Sequence, residues 1–400
     1  MPPKTHPYLF AVILTTCLVI PFSIDIFLSG LPAIAHHFLG SNVSLVLSVA
    51  LLAFALVQPI YGPLLDRFGR RPVLIIGLWI YTLASAQVML SDHFTWLLVG
   101  RFFQAIGGCS ATIGILAIVR DSYSGKKLLQ VTSIIMAMIG ISPTLAPLLG
   151  SVLNDQWGWR ASFVFLFIFG GFFLFIIQVF FKESLAVKNK DALRVRYILS
   201  NYAYLAKQHG FMIYAINGGL AFSVLFSYFS LSALFLIDQM HVSLIHYGLL
   251  VAANALALIF MALLAPTLHL RFSLNHLMHF SFIIMLLGGV LMWLCNAFHP
   301  ANPTTFMLPM FLTTLGIGLV RPVSSTGIMQ HAPNHLIGST SALFNFIAFI
   351  LGAVASAISA LLIDGIAHLG VYIVVISLIG LSLSLVNPYI MTATLKIVEP

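Results

Sequence analysis

The sequence from Gly62 to Pro72, Gly-Pro-Leu-Leu-Asp-Arg-Phe-Gly-Arg-Arg-Pro, decides the fold of this chain. It lies between two long apolar segments, and its eleven residues include one acid and three arginines. An arginine at the centre of a bilayer costs about 2.5–3.5 kcal/mol or more, so this stretch lies outside hydrocarbon. We predict a hairpin of two membrane-spanning helices joined by a short loop in water. Gly62 and Gly69 are expected to relieve crowding where the helix ends pack and turn. Asp66 is expected to pair with a nearby arginine or a helix N-terminus.

The composition excludes a soluble globular protein. Of the 400 residues, 60% are hydrophobic and 7% are charged, whereas about a quarter of the residues in soluble proteins are charged. The net charge of +8 therefore indicates membrane topology rather than a nucleic-acid partner. Each spanning helix needs about 20 apolar residues. The apolar runs predict an all-α membrane protein with twelve transmembrane helices, near residues 8–30, 43–64, 73–91, 95–119, 128–152, 162–181, 211–237, 246–268, 277–297, 305–329, 338–363 and 370–392.

The longest polar stretch divides the predicted spans into two groups of six. We predict an N-terminal six-helix bundle at 1–182, a basic cytoplasmic connector at 183–210 and a C-terminal six-helix bundle at 211–400. The connector mixes basic and apolar residues, which suits a short amphipathic helix on the inner leaflet. Fifteen of the eighteen lysines and arginines fall in the tails, the connector or the loops on the same side of the membrane. The positive-inside rule therefore predicts that both termini are cytoplasmic.

Asp25 lies well inside the first predicted span. An ionisable side chain there is unfavourable unless it faces water or a partner, so we interpret it as a functional residue. A carboxyl group that is exposed in turn to the two sides of the membrane can load and release a proton. The alternative is a structural carboxylate that caps a helix break near Pro21 or Pro32. Arg101, in the fourth span, is a natural partner for Asp25, and Gln104 lies on the same helix face. Alternatively, Arg101 snorkels to the outer surface.

A second cation, Arg321, lies inside the tenth predicted span. A cavity that contains Arg101 and Arg321 but few acids would favour an anionic or zwitterionic substrate. The alternative is that Arg321 snorkels to the inner headgroups. Further candidate cavity residues are Gln104, Phe226 and Asn345.

The charged stretch resembles the signature between helices 2 and 3 of the major facilitator superfamily, Gly-x-x-x-Asp-Arg-x-Gly-Arg-Arg. The alternative is an ordinary positive loop that fixes topology. The resemblance implies two six-helix bundles with a substrate site between them, and a conformational role for the matching residues. These residues, called the charged motif below, are Gly62, Asp66, Arg67, Gly69, Arg70 and Arg71.

Two further motifs resemble those of the same superfamily. Arg101 followed by Gln-x-x-Gly resembles a fourth-helix motif implicated in proton coupling, so the resemblance implies that role for Arg101. The fifth span resembles the antiporter motif of exporters, Gly-x-x-x-Gly-Pro-x-x-Gly-Gly, which it matches at Pro147 and Gly150. Small residues such as Ala146 replace several of the glycines. Together with Pro143, this pattern favours a helix that bends and packs closely against a neighbour.

Several stretches together are similar to the Bcr/CflA branch of drug:proton antiporters. In that family, the residue after the first-helix acid is usually followed by Tyr-Leu-Pro. In this chain, Ile26 comes after Asp25 and is followed by Phe-Leu-Ser. Phe27, which replaces the tyrosine, is therefore a candidate cavity residue at which substrate choice differs. The matching stretches are residues 24–32, 117–121, 142–150, 157–160 and 338–343.

The resemblance implies a proton-coupled efflux antiporter of drugs or other small molecules in a bacterial inner membrane. The substrate would be a small amphipathic or anionic molecule, and the proton gradient would supply the energy. The alternatives are export of an anionic siderophore or metabolite, uptake by a symporter, and, least favoured, a membrane sensor that does not transport. No nucleotide-binding loop, metal cluster or hydrolytic constellation is recognisable in the sequence. We therefore predict no enzyme activity, metal, cofactor or nucleic-acid partner, and expect a monomer in the lipid bilayer.

Overall fold

A computed structural model of the chain describes residues 13–185, 187–188, 192–298, 302–333, 336–359 and 365–398. Within these residues, twelve helical stretches are long and apolar enough to cross a membrane. The predicted number of spans is therefore confirmed. Residues 8–12 and 360–363 of the predicted spans lie outside the described part of the chain.

The chain divides into two compact units, Met1–Val195 and Arg196–Pro400. The α-helices of the first unit are α1 (Val19–Asp25), α2 (Leu31–His37), α3 (Leu45–Phe68), α4 (Arg70–Met89), α5 (Phe94–Ser122), α6 (Gly125–Trp157) and α7 (Arg160–Phe180). Helix α8 (Val195–Ala206) begins at the division between the units. The remaining helices are α9 (His209–Ala233), α10 (Leu244–His269), α11 (Leu274–Phe298), α12 (Pro303–Gln330), α13 (Ile337–Ile358) and α14 (Ile366–Val398).

In the first unit, α4 packs against α5 and α7, α5 also packs against α3, and α1 packs against α5 and α6. Helices α4 and α5 approach closely at Gly107, where an added Cβ atom would overlap the backbone of Gly77 and Tyr81. Small residues permit this kind of close approach between spanning helices. The opposite face of α4 leaves Ile76 and Leu83 exposed, as expected for a surface that faces lipid.

The second unit is built around α9. This helix packs against α12, α13 and α14, while α11 packs against α12 and α14. Most of the span that contains α9 is buried inside the protein, and the helix continues into a π-helical turn at Leu234–Gln239. Polar side chains of α9 therefore lie among other helices and not in lipid, which is where polar groups of spanning helices are tolerated.

The charged motif is largely helical, which contradicts the predicted loop. Helix α3 continues through Gly62 and Asp66 to Phe68, and α4 begins at Arg70, so only Gly69 separates the two helices. Gly69 has a φ angle of 105°, a left-handed conformation that glycine adopts without a steric penalty. An added Cβ at Gly62 would have no neighbour within 4 Å. The predicted role of Gly62 in relieving crowding is therefore wrong, whereas the predicted turn at Gly69 is confirmed.

The amphipathic helix that was predicted in the connector corresponds to α8. Leu199 and Tyr204 of this helix are exposed, whereas Leu205 is buried. Exposed apolar residues on a basic segment suit an interfacial helix. Contact between α8 and lipid headgroups remains a prediction.

Candidate functional site

The first span is a broken helix, and Asp25 lies at the break. A 3-10 helix at Thr15–Leu18 leads into α1, which ends at Asp25. A second 3-10 helix at Leu28–Gly30 leads into α2. Pro32 occupies the first turn of α2, where its missing N–H removes no helical hydrogen bond. The first span therefore consists of two short helices, α1 and α2, instead of one continuous helix.

Side chains of neighbouring helices bind the backbone carbonyl groups near this break. Nη2 of Arg101, on α5, donates a hydrogen bond to the carbonyl oxygen of Ser23 at 3.1 Å. The hydroxyl of Ser162, on α7, donates to the carbonyl oxygen of Ile26 at 3.2 Å. Irregular backbone at membrane depth is tolerated only where protein or water supplies such bonds. Helices α5 and α7 therefore stabilise the break.

The carboxyl group of Asp25 is buried and forms no ion pair within the described part of the chain. Asp25 is 3% exposed, and its Oδ1 atom has no hydrogen-bond partner among the described residues. The ion pairs found in that part of the chain do not include one between Asp25 and Arg101. The expected pairing of these two residues is therefore not formed in this structure. Asp25 also makes no side-chain cap at α2, whose N-cap residue is Gly30, so the alternative of a capping carboxylate is not supported.

Arg101 is held by neutral acceptors and by an aromatic ring. It is 1% exposed, which excludes the alternative of snorkelling to the outer surface. Its Nη1 donates to Oε1 of Gln104, and its Cζ lies 4.3 Å from the ring centre of Phe27. Nε2 of Gln104 in turn donates to Oγ of Ser85 at 2.7 Å. Phe27 and Gln104, both predicted as cavity residues, thus belong to one buried network with Arg101.

Helix α6 lies directly against the break. An added Cβ at Gly150 would overlap the backbone carbonyl of Ile26, so only glycine allows this close approach. One turn later, Nδ2 of Asn154 donates to the hydroxyl of Ser29 at 2.7 Å. The fifth span therefore contacts the irregular segment that follows Asp25 at two points, Ile26 and Ser29.

The two prolines of the fifth span do not interrupt α6. Pro143 and Pro147 lie inside a helix that continues from Gly125 to Trp157. Ala146, between them, is fully buried. The predicted close packing of small residues is found at Ala146 and at Gly150, while a role of this helix in antiport remains a prediction.

Arg70 of the charged motif joins the ends of α3 and α5. Its Nη1 lies 2.6 Å from Oδ1 of Asp66, and its Nε lies 2.9 Å from Oδ2 of Asp121. The predicted pairing of Asp66 with a nearby arginine is therefore confirmed. Charge-assisted hydrogen bonds of this kind are the stronger class. Arg67, by contrast, is exposed, with its guanidinium carbon 5.6 Å from the ring centre of Phe68.

Glu183 ties the start of α4 to the segment that follows α7. Its carboxylate oxygens accept hydrogen bonds from the backbone N–H groups of Arg70 at 3.0 Å and Arg71 at 3.1 Å. A carboxylate at a helix N-terminus satisfies free N–H groups and interacts favourably with the helix dipole. Arg71 also donates to the carbonyl oxygen of Gln178 at 2.7 Å. Neither Glu183 nor Asp121 was predicted as a partner. In the sequence, each is only an acid beside the end of a predicted span.

In the second unit, two of the predicted cavity residues, Arg321 and Phe226, lie at one aromatic cluster, and Asn345 is on a helix that contributes to it. Cζ of Arg321, on α12, lies 4.3 Å from the ring centre of Phe222 on α9. The rings of Phe222 and Phe226 both lie near Phe349 of α13, with centroid distances of 6.0 and 6.3 Å. Asn345 precedes Phe349 by four residues on α13 and therefore shares its helix face.

Comparisons with known proteins support a transporter fold. Residues 13–356 match the family described as Major Facilitator Superfamily. The chain is 32% identical over 342 residues to multidrug resistance protein D of Escherichia coli (strain K12), which covers 83% of this chain and 84% of that protein. It is 25% identical over 372 residues to the chloramphenicol resistance protein of Pseudomonas aeruginosa, with coverage of 90% and 87%. The crystal structure of the peptide transporter POT in complex with alafosfalin has a TM-score of 0.76 at 14% identity, over 97% of this chain and 95% of that one. That likeness shows the fold alone.

Proposed function

The chain belongs to the Major Facilitator Superfamily, and from this premise we propose that it exports small amphipathic molecules in exchange for protons. It is a transporter and not an enzyme. The twelve apolar helices and the drug-resistance relatives support a multi-pass protein of a bacterial inner membrane. We further propose that the proton gradient supplies the energy, that the transporter acts as a monomer, and that both termini are cytoplasmic.

The observation that carries this proposal is the buried carboxyl of Asp25 at a helix break, which forms no ion pair with any of the described residues. An unpaired carboxylate in an interior poor in water is unfavourable, and protonation removes the charge that makes it so. Ionised Asp25 would attract the guanidinium of Arg101, which binds the carbonyl oxygen of Ser23 only two residues away. Protonated Asp25 would leave Arg101 with its neutral acceptors. The charge of one carboxyl would thus bias the first unit between two arrangements.

The charged motif supports a conformational cycle of the first unit. Arg70 links the ends of α3 and α5, and Glu183 links the start of α4 to the segment after α7. A rearrangement of these helix ends would break several charge-assisted hydrogen bonds together. We infer that the charged motif stabilises one of the two arrangements, so that substrate and proton binding must supply the free energy to leave it.

Export is favoured over uptake by the names of the relatives, which refer to multidrug resistance and to chloramphenicol resistance. Those activities belong to the relatives, and for this chain they suggest drug-like substrates. Export of an anionic metabolite is the second candidate. It is favoured by one observation, the exposed cation of Arg321 beside an aromatic cluster.

The experiment that tests proton-coupled export uses everted membrane vesicles energised by respiration. A pH-sensitive dye reports the acidified lumen, and test compounds are added one at a time: neutral chloramphenicol, a cationic dye and a carboxylate siderophore. An antiporter moves protons out of the lumen as it moves substrate in. We expect at least one compound to reduce the pH difference in vesicles that contain the protein and not in vesicles that lack it.

The same membranes supply the controls. Fluorescence-detected size exclusion establishes that the protein is folded and inserted, and a protonophore establishes that the dye responds. If no compound moves protons although the protein is folded and the compounds are shown to bind it, proton-coupled export is rejected. Proton movement in the opposite direction would favour a symporter.

A further inference from the structure

We propose that the second unit contains a binding site for the carboxylate of an aromatic anion, in which Arg321 binds the carboxylate beside the rings of Phe222, Phe226 and Phe349. This inference rests on the proposed transport function and names the substrate class of one site in it. The site lies on α9, α12 and α13, all within one compact unit. Asn345, on the same face of α13 as Phe349, would bind a second polar group of the anion.

Arg321 has the position of a ligand-binding cation. It lies nine residues before the last residue of α12, Gln330, which corresponds to about 13.5 Å along a helix. The side chain is exposed, yet its guanidinium carbon lies 4.3 Å from the ring centre of Phe222. This contact with a neighbouring helix holds the guanidinium at the depth of the ring. The side chain of Arg321 therefore does not snorkel to the inner headgroups.

The charge of Arg321 is not neutralised within its surroundings. Among the described residues, no ion pair reaches Arg321. The sequence from 196 to 400 contains only three acids, Asp238, Asp364 and Glu399, and none of them belongs to α12 or α13. Asp238 lies in the π-helical turn beyond the end of α9. An incoming carboxylate would thus be the counterion of Arg321 and would accept two parallel N–H bonds from its planar fork.

The walls of the site are aromatic. Phe222 lies 5.3 Å from Phe226 between ring centroids, and both rings lie near Phe349. Aromatic rings prefer edge-to-face or offset neighbours at such distances, so an aromatic ligand whose carboxylate binds Arg321 would find favourable ring partners at the edge of this cluster.

Other charges and shapes fit the site less well. A cationic ligand would meet the positive charge of Arg321 with no carboxylate on α12 or α13 to compensate it. A neutral ligand of the same shape would keep the ring contacts but lose the charge-assisted hydrogen bonds. The site therefore predicts a preference in charge among ligands that share one ring system, and this preference is measurable without transport.

The test measures equilibrium binding to the purified full-length protein in nanodiscs of zwitterionic lipid. Three ligands share a naphthalene ring: naphthoate, naphthamide and naphthylmethylammonium. We expect naphthoate to bind at least about tenfold more tightly than naphthamide, and naphthylmethylammonium to bind most weakly. In Arg321→Ala the ratio between naphthoate and naphthamide falls to about one, because both ligands keep the same ring contacts.

A matched control removes a different arginine of the same unit. Arg271 is exposed between α10 and α11, and Arg271→Ala should keep the full preference for naphthoate. In Phe222→Leu both ligands should bind more weakly by a similar factor, since the ring contact serves both. Binding of naphthamide reports that each variant is folded, and Arg321→Gln replaces Arg321→Ala if the latter does not fold.

Equal binding of the three ligands by the wild-type protein would overturn the proposal, as would a naphthoate preference that survives in Arg321→Ala. The assay contains no proton gradient, so it separates this inference from the proposed function. If the ligands show no charge preference, the proposal of proton-coupled export still stands. Naphthoate preference in a protein that moves no protons in vesicles leaves the site intact and rejects antiport.

Discussion

Gly150 offers a direct test of how the break beside Asp25 is maintained. In Gly150→Ala, the new methyl group would overlap the carbonyl oxygen and carbon of Ile26. Both atoms belong to the backbone, so no side-chain rotation relieves the overlap. Helix α6 must move away from the first span, or the segment after Asp25 must shift. Either response loosens packing at the break.

The size of the effect follows from comparison with Gly140→Ala on the same helix. An added Cβ at Gly140 has no neighbour within 4 Å, so this variant has the gain in helix propensity without the overlap. The difference between the two variants is the overpacking term, about 1–3 kcal/mol. A unit of about 200 residues shifts its unfolding midpoint by about 2–4 °C per kcal/mol. We therefore expect Gly150→Ala to unfold about 2–12 °C below Gly140→Ala.

The assay is thermal unfolding of purified full-length protein in one detergent, followed by tryptophan fluorescence at a fixed heating rate. Substrate-dependent proton release is measured in parallel, and it should fall in Gly150→Ala and persist in Gly140→Ala. Equal unfolding midpoints for the two variants would refute the close contact between α6 and the first span.

Two further substitutions test other contacts of the structure. Glu183→Gln removes one of the two oxygens that accept hydrogen bonds from the N–H groups of Arg70 and Arg71, so the unfolding midpoint should fall. The control Asp155→Asn changes an exposed acid near the end of α6 and should leave the midpoint unchanged. Equal unfolding midpoints for these two variants would contradict the role of Glu183. Asn217→Leu removes two buried polar atoms that have no hydrogen-bond partner among the described residues, so it should raise stability by about 1–3 kcal/mol; a lower midpoint would indicate a partner for Asn217 that the structure does not show.

The number of spans could be predicted from sequence because the bilayer imposes one length and one composition on each of them. The long-range partners could not. Asp121 and Glu183 lie 51 and 113 residues from Arg70 along the chain, and hydropathy carries no information about which helix ends meet. The helical form of the charged motif was also missed, because charge density was taken to indicate a loop. A helix end in water tolerates the same charges.

The partner of Arg101 could not be predicted from sequence either. Opposite charges in two spans suggested an ion pair between Asp25 and Arg101. The break in the first span presents a backbone carbonyl, that of Ser23, which Arg101 binds instead. The prolines Pro21 and Pro32 suggested that the first span is irregular. Whether Arg101 binds a carboxylate or a backbone carbonyl, however, depends on how α5 and α7 pack around the break.

In the second unit, Arg321, Phe226 and Asn345 were each chosen for their residue type within a span. The structure brings Arg321 and Phe226 to one aromatic cluster because α9 packs against both α12 and α13. Asn345 shares a face of α13 with Phe349 of that cluster. Phe222 contacts Arg321 directly. With 33 phenylalanines in the chain, only the fold shows which of their rings lies beside this arginine.

The role of Asp25 as the proton carrier is tested by comparing wild type with Asp25→Asn in proteoliposomes, using a substrate identified in the vesicle assay. Two modes are measured: exchange of labelled for unlabelled substrate without a gradient, and accumulation driven by an imposed pH difference. Asparagine keeps the size of the side chain but cannot release a proton. We predict that Asp25→Asn retains exchange and loses accumulation. Accumulation by Asp25→Asn at the wild-type level would contradict the claim that Asp25 carries the proton.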